Sequence, residues 1–296
     1  MRCAWIDEQR DFYPVGLLCR VLKVSRSGYY AWRRREPSPG TQRRQEIAQA
    51  VQHSHRDSHE TYGYRRVHRD LVDDHEIACC RETVRHIMAD LGLWGKHKRR
   101  FVKTTDSNQD EPIATNRLQR DFTATRPDQK WVADITYIRL AEGWLYLAVI
   151  LDCFSRRVVG WSMSRRIDAA LVCQALENAL LLRCPQSDLV HHSDRGVQYA
   201  SQRLRDLLRR EGLTMSMSRK GDPWDNAMME SFFGSLKTEW IDTDYATEEE
   251  AQLAVFKYIE MFYNPIRRHS ALGYLSPAEY ERHYEAGQLT PMDEAA

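Results

Sequence analysis

Apolar positions change their period partway along the chain. Up to residue 93 they recur every three or four residues, as on helices. In 14–35, Leu17, Leu18, Val21 and Leu22 form one stripe. Ser25 then stands as an N-cap before a second short helix that carries Tyr29, Tyr30 and Trp32 into Arg33–Arg35. "EPSPG" (36–40) reads as a turn or linker. Residues 42–58 predict a polar helix with Ile47, Val51 and His55 on one face. In 61–93, Val67, Leu71 and Ile77 precede Val84, Ile87, Met88 and Leu91, and Gly92 follows. That spacing predicts helix, short turn, helix and a glycine stop. It suits a helix-turn-helix whose second helix turns Arg81 and Arg85 outward. A small helical bundle without DNA would read the same, and the basic "KHKRRFVK" (96–103) favours the DNA reading.

From residue 130 the period becomes two. "KWVADITYIRL" (130–140), "WLYLAVILD" (144–152) and "RVVGWSM" (157–163) predict three strands, the first two joined by a turn at 141–143. Residues 168–184 predict a helix, 189–194 a strand, 201–212 a helix stopped by glycine, and 213–217 another strand. A loop (219–226) and a helix (227–240) follow. An antiparallel meander followed by crossovers gives a mixed five-stranded sheet flanked by helices, an α/β domain behind an all-α one. "TEEE" at 247 reads as a capping box opening a helix to 263. The expected division is a helix-turn-helix in 1–40, a second helix-turn-helix module in 41–103, a linker in 104–122, the α/β domain with its C-terminal helix in 123–283 and a fraying tail in 284–296.

The net charge of +1 hides an asymmetry. Residues 1–105 hold 21 Lys and Arg against 13 Asp and Glu, whereas the remainder holds 22 against 29. A basic module suits phosphate contact and an acidic one suits metal ions, although ordinary solvated faces would give the same balance. No apolar run spans a membrane and the start lacks a secretory signal, so the expected location is the cytoplasm. Seven scattered cysteines without a CxxC pair read as reduced thiols.

Three acids stand out by position. Asp134 interrupts an apolar strand, where a carboxylate is costly unless paired, hydrogen-bonded or metal-bound. Asp194 closes a strand, where α/β sheets place ligands. Glu230 lies one turn into a helix, with thirty-five residues (195–229) between it and Asp194. Converging carboxylates suit Mg²⁺ or Mn²⁺, and a two-ion site can activate an attacking oxygen and stabilise a leaving one. Glu239, nine residues past Glu230, falls on the opposite helix face. Asp152 reads as a strand-to-turn cap, and Asp225 or Asn226 as a helix N-cap. His192 beside Ser193 suggests a hydrolase dyad, but adjacent strand residues point to opposite faces. His191, His192 and the 53–59 histidines lack a four-ligand zinc arrangement. Trp224 and Tyr199 suggest base stacking, with core packing or loop anchoring as the plainer role.

"WVADITYI", "HSDRGVQY" and "GDPWDNAMMESFFGSLKTEW", taken together and in order, resemble the DDE transposases and retroviral-type integrases. The chain is most similar to the second-frame (orfB-type) transposases of the insertion-sequence-3 family, and the resemblance runs over nearly its whole length. It includes "VGLLCRVLKVSRSGYYAWRRR", "TYGYRRV", "GWLYLAVILDCFSRRVVGW" and "YNPIRRHSALGYLSPAEY". The resemblance implies an RNase H-like catalytic core with Asp134, Asp194 and Glu230 as catalytic metal ligands for two Mg²⁺ or Mn²⁺ ions. It implies a lysine seven residues after the glutamate, where Lys237 stands, to meet DNA phosphate. Arg65, Arg66, Arg81 and Arg85 are the DNA-contact candidates in the helical module. His192 and Arg195 are secondary candidates for shaping the site. The implied activity is cleavage at element ends and strand transfer by a 3′-OH, through a joined-end intermediate. The implied partners are terminal inverted repeats, target DNA and further copies of the chain on DNA. A small upstream-frame protein with a helix-turn-helix and leucine zipper is another, since this chain starts at Met1 without a heptad segment. A catalytically inactive DNA-binding regulator and a nuclease that cuts without joining are the competing readings.

Overall fold

A computed structural model describes residues 1–96, 114–186, 188–219, 223–241 and 244–289. Most of the basic 96–103 segment, and the side chain of Trp224, lie outside the described residues.

The N-terminal part is helical: α1 (Arg2–Gln9), α2 (Val15–Val21) and α3 (Arg26–Arg34) surround a small core of Ile6, Leu18, Cys19 and Tyr29. Helix α1 was not evident from the pattern. Ser25 caps α3 as expected, accepting from the Gly28 N–H at 3.0 Å. Leu17 and Val21 of the anticipated stripe are exposed, because a helix this short turns only Leu18 and Cys19 fully inward. The "EPSPG" turn is shorter than expected. Ser38 is an N-cap and Pro39 opens α4 (Pro39–Asp57), where its missing N–H costs nothing.

Helix α5 (Tyr64–Arg69) runs on into a π turn (Asp70–Asp74), and α6 (Arg81–Asp90) ends at Gly92 with φ +67. The helix-turn-helix pattern is therefore present, widened by one π turn. Its apolar residues do not form a separate core. Ile47, Val51, Val67, Leu71, Val84, Ile87 and Met88 join Val132, Leu147, Val149, Phe232, Tyr258 and Phe262 in one continuous cluster.

The sheet has strand order β3-β2-β1-β4-β5: β1 (Lys130–Arg139), β2 (Trp144–Asp152), β3 (Val158–Ser164), β4 (Val190–Ser193) and β5 (Thr214–Met217). The first three strands pair antiparallel; β4 is parallel to β1, and β5 to β4. Helices α7 (Ala169–Arg183) and α8 (Gln202–Arg210) cover one face around Trp131, Ala133 and Ile150. Gly160 allows the α7 approach: a Cβ there would stand 2.4 Å from the Ala175 carbonyl oxygen. The other face carries α9 (Ala227–Glu239) and α10 (Glu248–Phe256), which continues as a π segment (Lys257–Tyr263). Only half of the "TEEE" box forms. Thr247 accepts the Glu250 N–H, but the Glu250 carboxylate accepts from Ala246 rather than Thr247. A full capping box instead opens α11 (Pro277–Glu285) at Ser276 and Glu279.

The last residues of the expected linker are packed. Leu118 is buried, and the Arg117 N–H donates to Ser216 Oγ on β5 at 2.9 Å. No helix among the described residues is long and apolar enough to cross a membrane. All seven cysteines are free thiols.

Candidate active site

The sheet register brings two of the acids side by side. Parallel pairing matches Ala133 of β1 with Ser193 of β4, so Asp134 and Asp194 are each the next residue along neighbouring strands. Neighbouring strands lie about 4.8 Å apart. Asp194 stands one residue beyond β4, where its carboxylate accepts the Gly196 N–H at 2.9 Å. Asp134 accepts the N–H of Ile135 at 2.7 Å.

Helix α9 supplies the remaining charges. Glu230 sits in its first turn, exposed, and Lys237 lies about two turns later on the same side. The electrostatics tie the four together. Burial pushes the Asp134 carboxyl well above its ordinary value, and the negative charges of Asp194 and then Glu230 push it further; Ile135 and Lys237 pull the other way and lose. Burial also raises Asp194 against the pull of Gly196. The Lys237 ammonium is lowered by burial, with Asp134 opposing. It also lies 4.3 Å from the Tyr137 ring centroid.

The donor set is hard oxygen held at high electrostatic cost, which a divalent cation would relieve. Among the described residues no three His, Cys, Asp or Glu side chains stand together as a ready-made metal site.

Other candidates are placed elsewhere. His192 is fully buried and does not face DNA. Its Nδ1 pairs with Ser216 Oγ at 2.8 Å, and its Nε2 lies 3.1 Å from both Ser218 Oγ and the Asp225 carbonyl. Burial lowers its pKa to about 4, so it is a neutral clip between β4, β5 and the turn before α9. Arg195 is tied back as well, its Nε donating to the Ser218 carbonyl at 2.6 Å. Tyr199 is 2% exposed and sealed in the core, so it offers no ring to a base. Burial raises its phenol, and the charges of Asp134 and Asp194 raise it further.

Of the two N-cap candidates, Asn226 holds the N-cap position of α9, without a side-chain cap bond, and Asp225 does not. Asp225 is fully buried, with Arg219 donating from its backbone and guanidinium and Asn116 donating at 2.9 Å. This pairing fixes the approach to α9 and so the placement of Glu230. Its partner Asn116 lies in the segment read as linker, so the pairing was illegible in the sequence. Asp152 is a strand-end cap as expected, accepting from the backbone and hydroxyl of Ser155. Glu239 faces away from the site in a buried pair with Arg267 at 2.5 Å.

Among the helical-module arginines, Arg65, Arg81 and Arg85 are exposed, Arg85 bonding Glu82 at 2.7 Å. Arg66 departs from expectation. It turns inward over the Tyr62 ring and lies 3.7 Å from Glu239.

Comparison with known proteins adds a second line of evidence. Residues 124–223 and 211–277 match integrase core domain families, and residues 42–101 match an HTH-like domain family. The chain is 42% identical to the transposase InsF of insertion sequence IS3A from Escherichia coli (strain K12), over 95% of this chain and 98% of that protein. It is also 42% identical to a 31 kDa protein of insertion element IS600 from Shigella sonnei, over 90% of this chain and 98% of that one. Among solved structures it is similar to a chain of the simian T-cell lymphotropic virus intasome, with TM-score 0.47 and 16% identity, covering 82% of this chain and 77% of that one. The HTLV-2 integrase catalytic core domain in complex with magnesium gives TM-score 0.43 and 16% identity, covering 54% of this chain and 99% of that one.

Proposed function

The chain belongs to the insertion-sequence-3 family of DNA transposases, and from that premise we propose that Asp134, Asp194 and Glu230 are its catalytic acids. The observation that carries this is the register of β1 on β4, which sets Asp134 and Asp194 each one residue beyond the paired Ala133 and Ser193, with the Asp134 carboxyl raised by burial and then by the charges of Asp194 and Glu230.

A cluster of carboxylates repels a polyanion, so it works on DNA only with cations between them. Asp134, Asp194 and Glu230 would hold Mg²⁺ or Mn²⁺, two ions in the working site. Bound there, the ions supply Lewis acidity and charge neutralisation at the attacking and leaving oxygens. Lys237, beside Asp134, sets an ammonium against a non-bridging phosphate oxygen. Asp225 and His192 hold the turn before α9 and so position Glu230. The first step is hydrolysis at the element end, which frees a 3′-OH. In the second, that oxygen bonds to a target phosphorus as the target P–O3′ bond breaks, leaving a new 3′-OH on the target. The HTH-like module recognises the terminal inverted repeats through the exposed Arg65, Arg81 and Arg85. Two ends must meet, so the working form is an oligomer on DNA, in the cytoplasm, fused to or joined by the upstream-frame protein.

The test is cleavage and joining of terminal-repeat duplexes with Mg²⁺ or Mn²⁺. Loss of both steps in Asp134→Asn, Asp194→Asn and Glu230→Gln, with DNA binding retained, supports the assignment. Survival of strand transfer in all three would overturn it. Cutting without joining by the native chain would instead identify a nuclease, and binding alone a regulator.

A further inference from the structure

The HTH-like module is bolted to the catalytic core by one buried guanidinium. Arg268 follows the π segment after α10 and its side chain is 5% exposed. It reaches three aspartates of the π turn after α5: Nε to Asp70, Nη1 to Asp73 at 3.2 Å and Nη2 to Asp74 at 2.8 Å. Its Nη1 also donates to the Tyr274 carbonyl at 2.9 Å. Tyr62, just before α5, closes the joint: its Oη donates to the Ile266 carbonyl at 3.0 Å and accepts the Arg268 N–H at 2.7 Å. A second set of contacts reaches α9. Lys96 Nζ donates to the Glu239 carbonyl at 2.8 Å, and the His59 ring lies 4.6 Å from that of Trp240.

The chemistry is more specific than adhesion requires. The apolar cluster shared by the two modules already holds them together. Burying a guanidinium and a carboxylate adds desolvation that an apolar contact avoids. Burial raises the Asp70 carboxyl even though Ser54 and Arg268 pull it down. What a planar fork adds is orientation, since its donors fit one arrangement of acceptors and do not slide. The aspartates lie at i, i+3 and i+4, on one face of the turn. Helix α6 packs on α4 and α5, and α9 carries Glu239 in the joint and Glu230 at the site. Side-chain contacts from Arg66, Lys96 and His59 to Glu239 and Trp240 thus link the helical module to the end of the helix that carries Glu230.

We propose that Arg268, with Asp70, Asp73, Asp74 and Tyr62, is a positioning clamp: it fixes the distance from the DNA read by α6 to the phosphodiester presented to Asp134, Asp194 and Glu230, and so selects which bond is cut. This rests on the reading of the HTH-like module as the element-end binder. One base pair moves a phosphate by about 3.4 Å, and a 1 Å misplacement at a reacting centre can cost about 100-fold in rate. A joint loosened by the length of one side-chain contact is therefore enough to change the bond selected.

The experiment uses the full chain and duplexes carrying the element's own terminal repeat, with the repeat-to-cleavage spacing native or changed by one or two base pairs. Cleavage positions are mapped on sequencing gels, and affinity is measured by band shift. The native chain should cut one phosphodiester and lose activity on altered spacings. Arg268→Ala should bind within a few-fold of native affinity, spread its cuts over neighbouring phosphodiesters and accept altered spacings; Arg268→Lys should be intermediate. If Arg268→Ala does not fold, the double variant Asp73→Asn, Asp74→Asn keeps the Asp70 pair and carries the same expectation in weaker form. A folded clamp variant that cuts only the native bond, with native intolerance of spacing, overturns the proposal. If instead Arg81→Ala and Arg85→Ala leave element-end affinity unchanged, the underlying reading of α6 fails, a separate result from the clamp's.

Discussion

Two acid clusters in this chain use the same residue types to opposite ends. Asp70, Asp73 and Asp74 surround the guanidinium of Arg268. Burial raises the Asp134 carboxyl, the charges of Asp194 and Glu230 raise it further, and Lys237 does not prevent the rise. Helix α9 spans the contrast, with Glu230 at its start in the second kind of environment and Glu239 at its end locked to Arg267. The difference teaches where the fold has left electrostatic work undone. Asp70, Asp73 and Asp74 are compensated within the fold, whereas under the proposed function the Asp134 and Asp194 carboxylates, raised by burial, would be compensated by cations from outside.

The sharpest way to break this contrast is to neutralise one acid of each kind. Asp134→Asn should lower strand transfer by roughly a thousandfold or more, while the melting temperature holds or rises because a repulsion has been removed. Glu239→Ala should do the reverse. It leaves Arg267, 4% exposed, and Arg66 without their carboxylate, which costs about 3–5 kcal/mol of stability, read by denaturant unfolding. Cleavage per folded molecule should remain. If Asp134→Asn destabilises the fold as Glu239→Ala does, the two acids are not different in kind.

A smaller effect separates the groups by pH. His191 and His192 are buried, and burial lowers each to about 4 from an ordinary 6.5. The unfolded chain therefore takes up protons below pH 6.5 that the folded chain refuses until near pH 4, so stability falls as pH falls through that window. At pH 5 each histidine costs about 2 kcal/mol relative to pH 7. Asp152 acts against this: burial raises it to about 6, so the folded chain binds its proton first, giving back about 1 kcal/mol at pH 5. The raised Asp134, Asp194 and Asp70 act with Asp152, and His269, lowered by burial, acts with the histidines, so the expectation is read by comparison: any loss of melting temperature from pH 7 to pH 5 is smaller in His192→Asn than in the native chain. Identical pH profiles in the two would mean that His192 is not a neutral clip.

Much of this was legible in the chain, for reasons that differ by element. The strands were, because short runs rich in Val, Ile, Trp and Tyr stand between turn residues, although around Asp134 burial alternates only from Thr136 onward. Glu239 was excluded from the site by helical geometry alone, and the structure turns it away. What the sequence hid was long-range pairing. Nothing near Asp225 announces Asn116, and nothing near Arg268 announces three aspartates about 195 residues earlier. Arg66 and His192 misled for the same reason. A charged or polar residue reads as solvent-facing unless its distant partner is known, and their partners, Glu239 and Ser216, lie in other elements.

Lys237 gives the smallest and most discriminating test, because it stands between the two kinds of environment. It is half-buried, its ammonium lowered by desolvation and raised by Asp134, and it covers the Tyr137 ring. Were it a structural partner of Asp134, Lys237→Ala would act through stability and through Asp134, and salt would not enter. Were it the phosphate contact, the variant should lose about tenfold in strand transfer, equivalent to 1.4 kcal/mol, with melting little changed. The slope of log affinity against log salt should then fall by about one, the signature of one lost phosphate neutralisation. Lys237→Arg should restore the slope, since a guanidinium also neutralises phosphate, while recovering less of the rate, since it is wider than the ammonium it replaces in a packed niche. A full rate with an unchanged slope in Lys237→Ala would assign the lysine to the fold rather than to the phosphate.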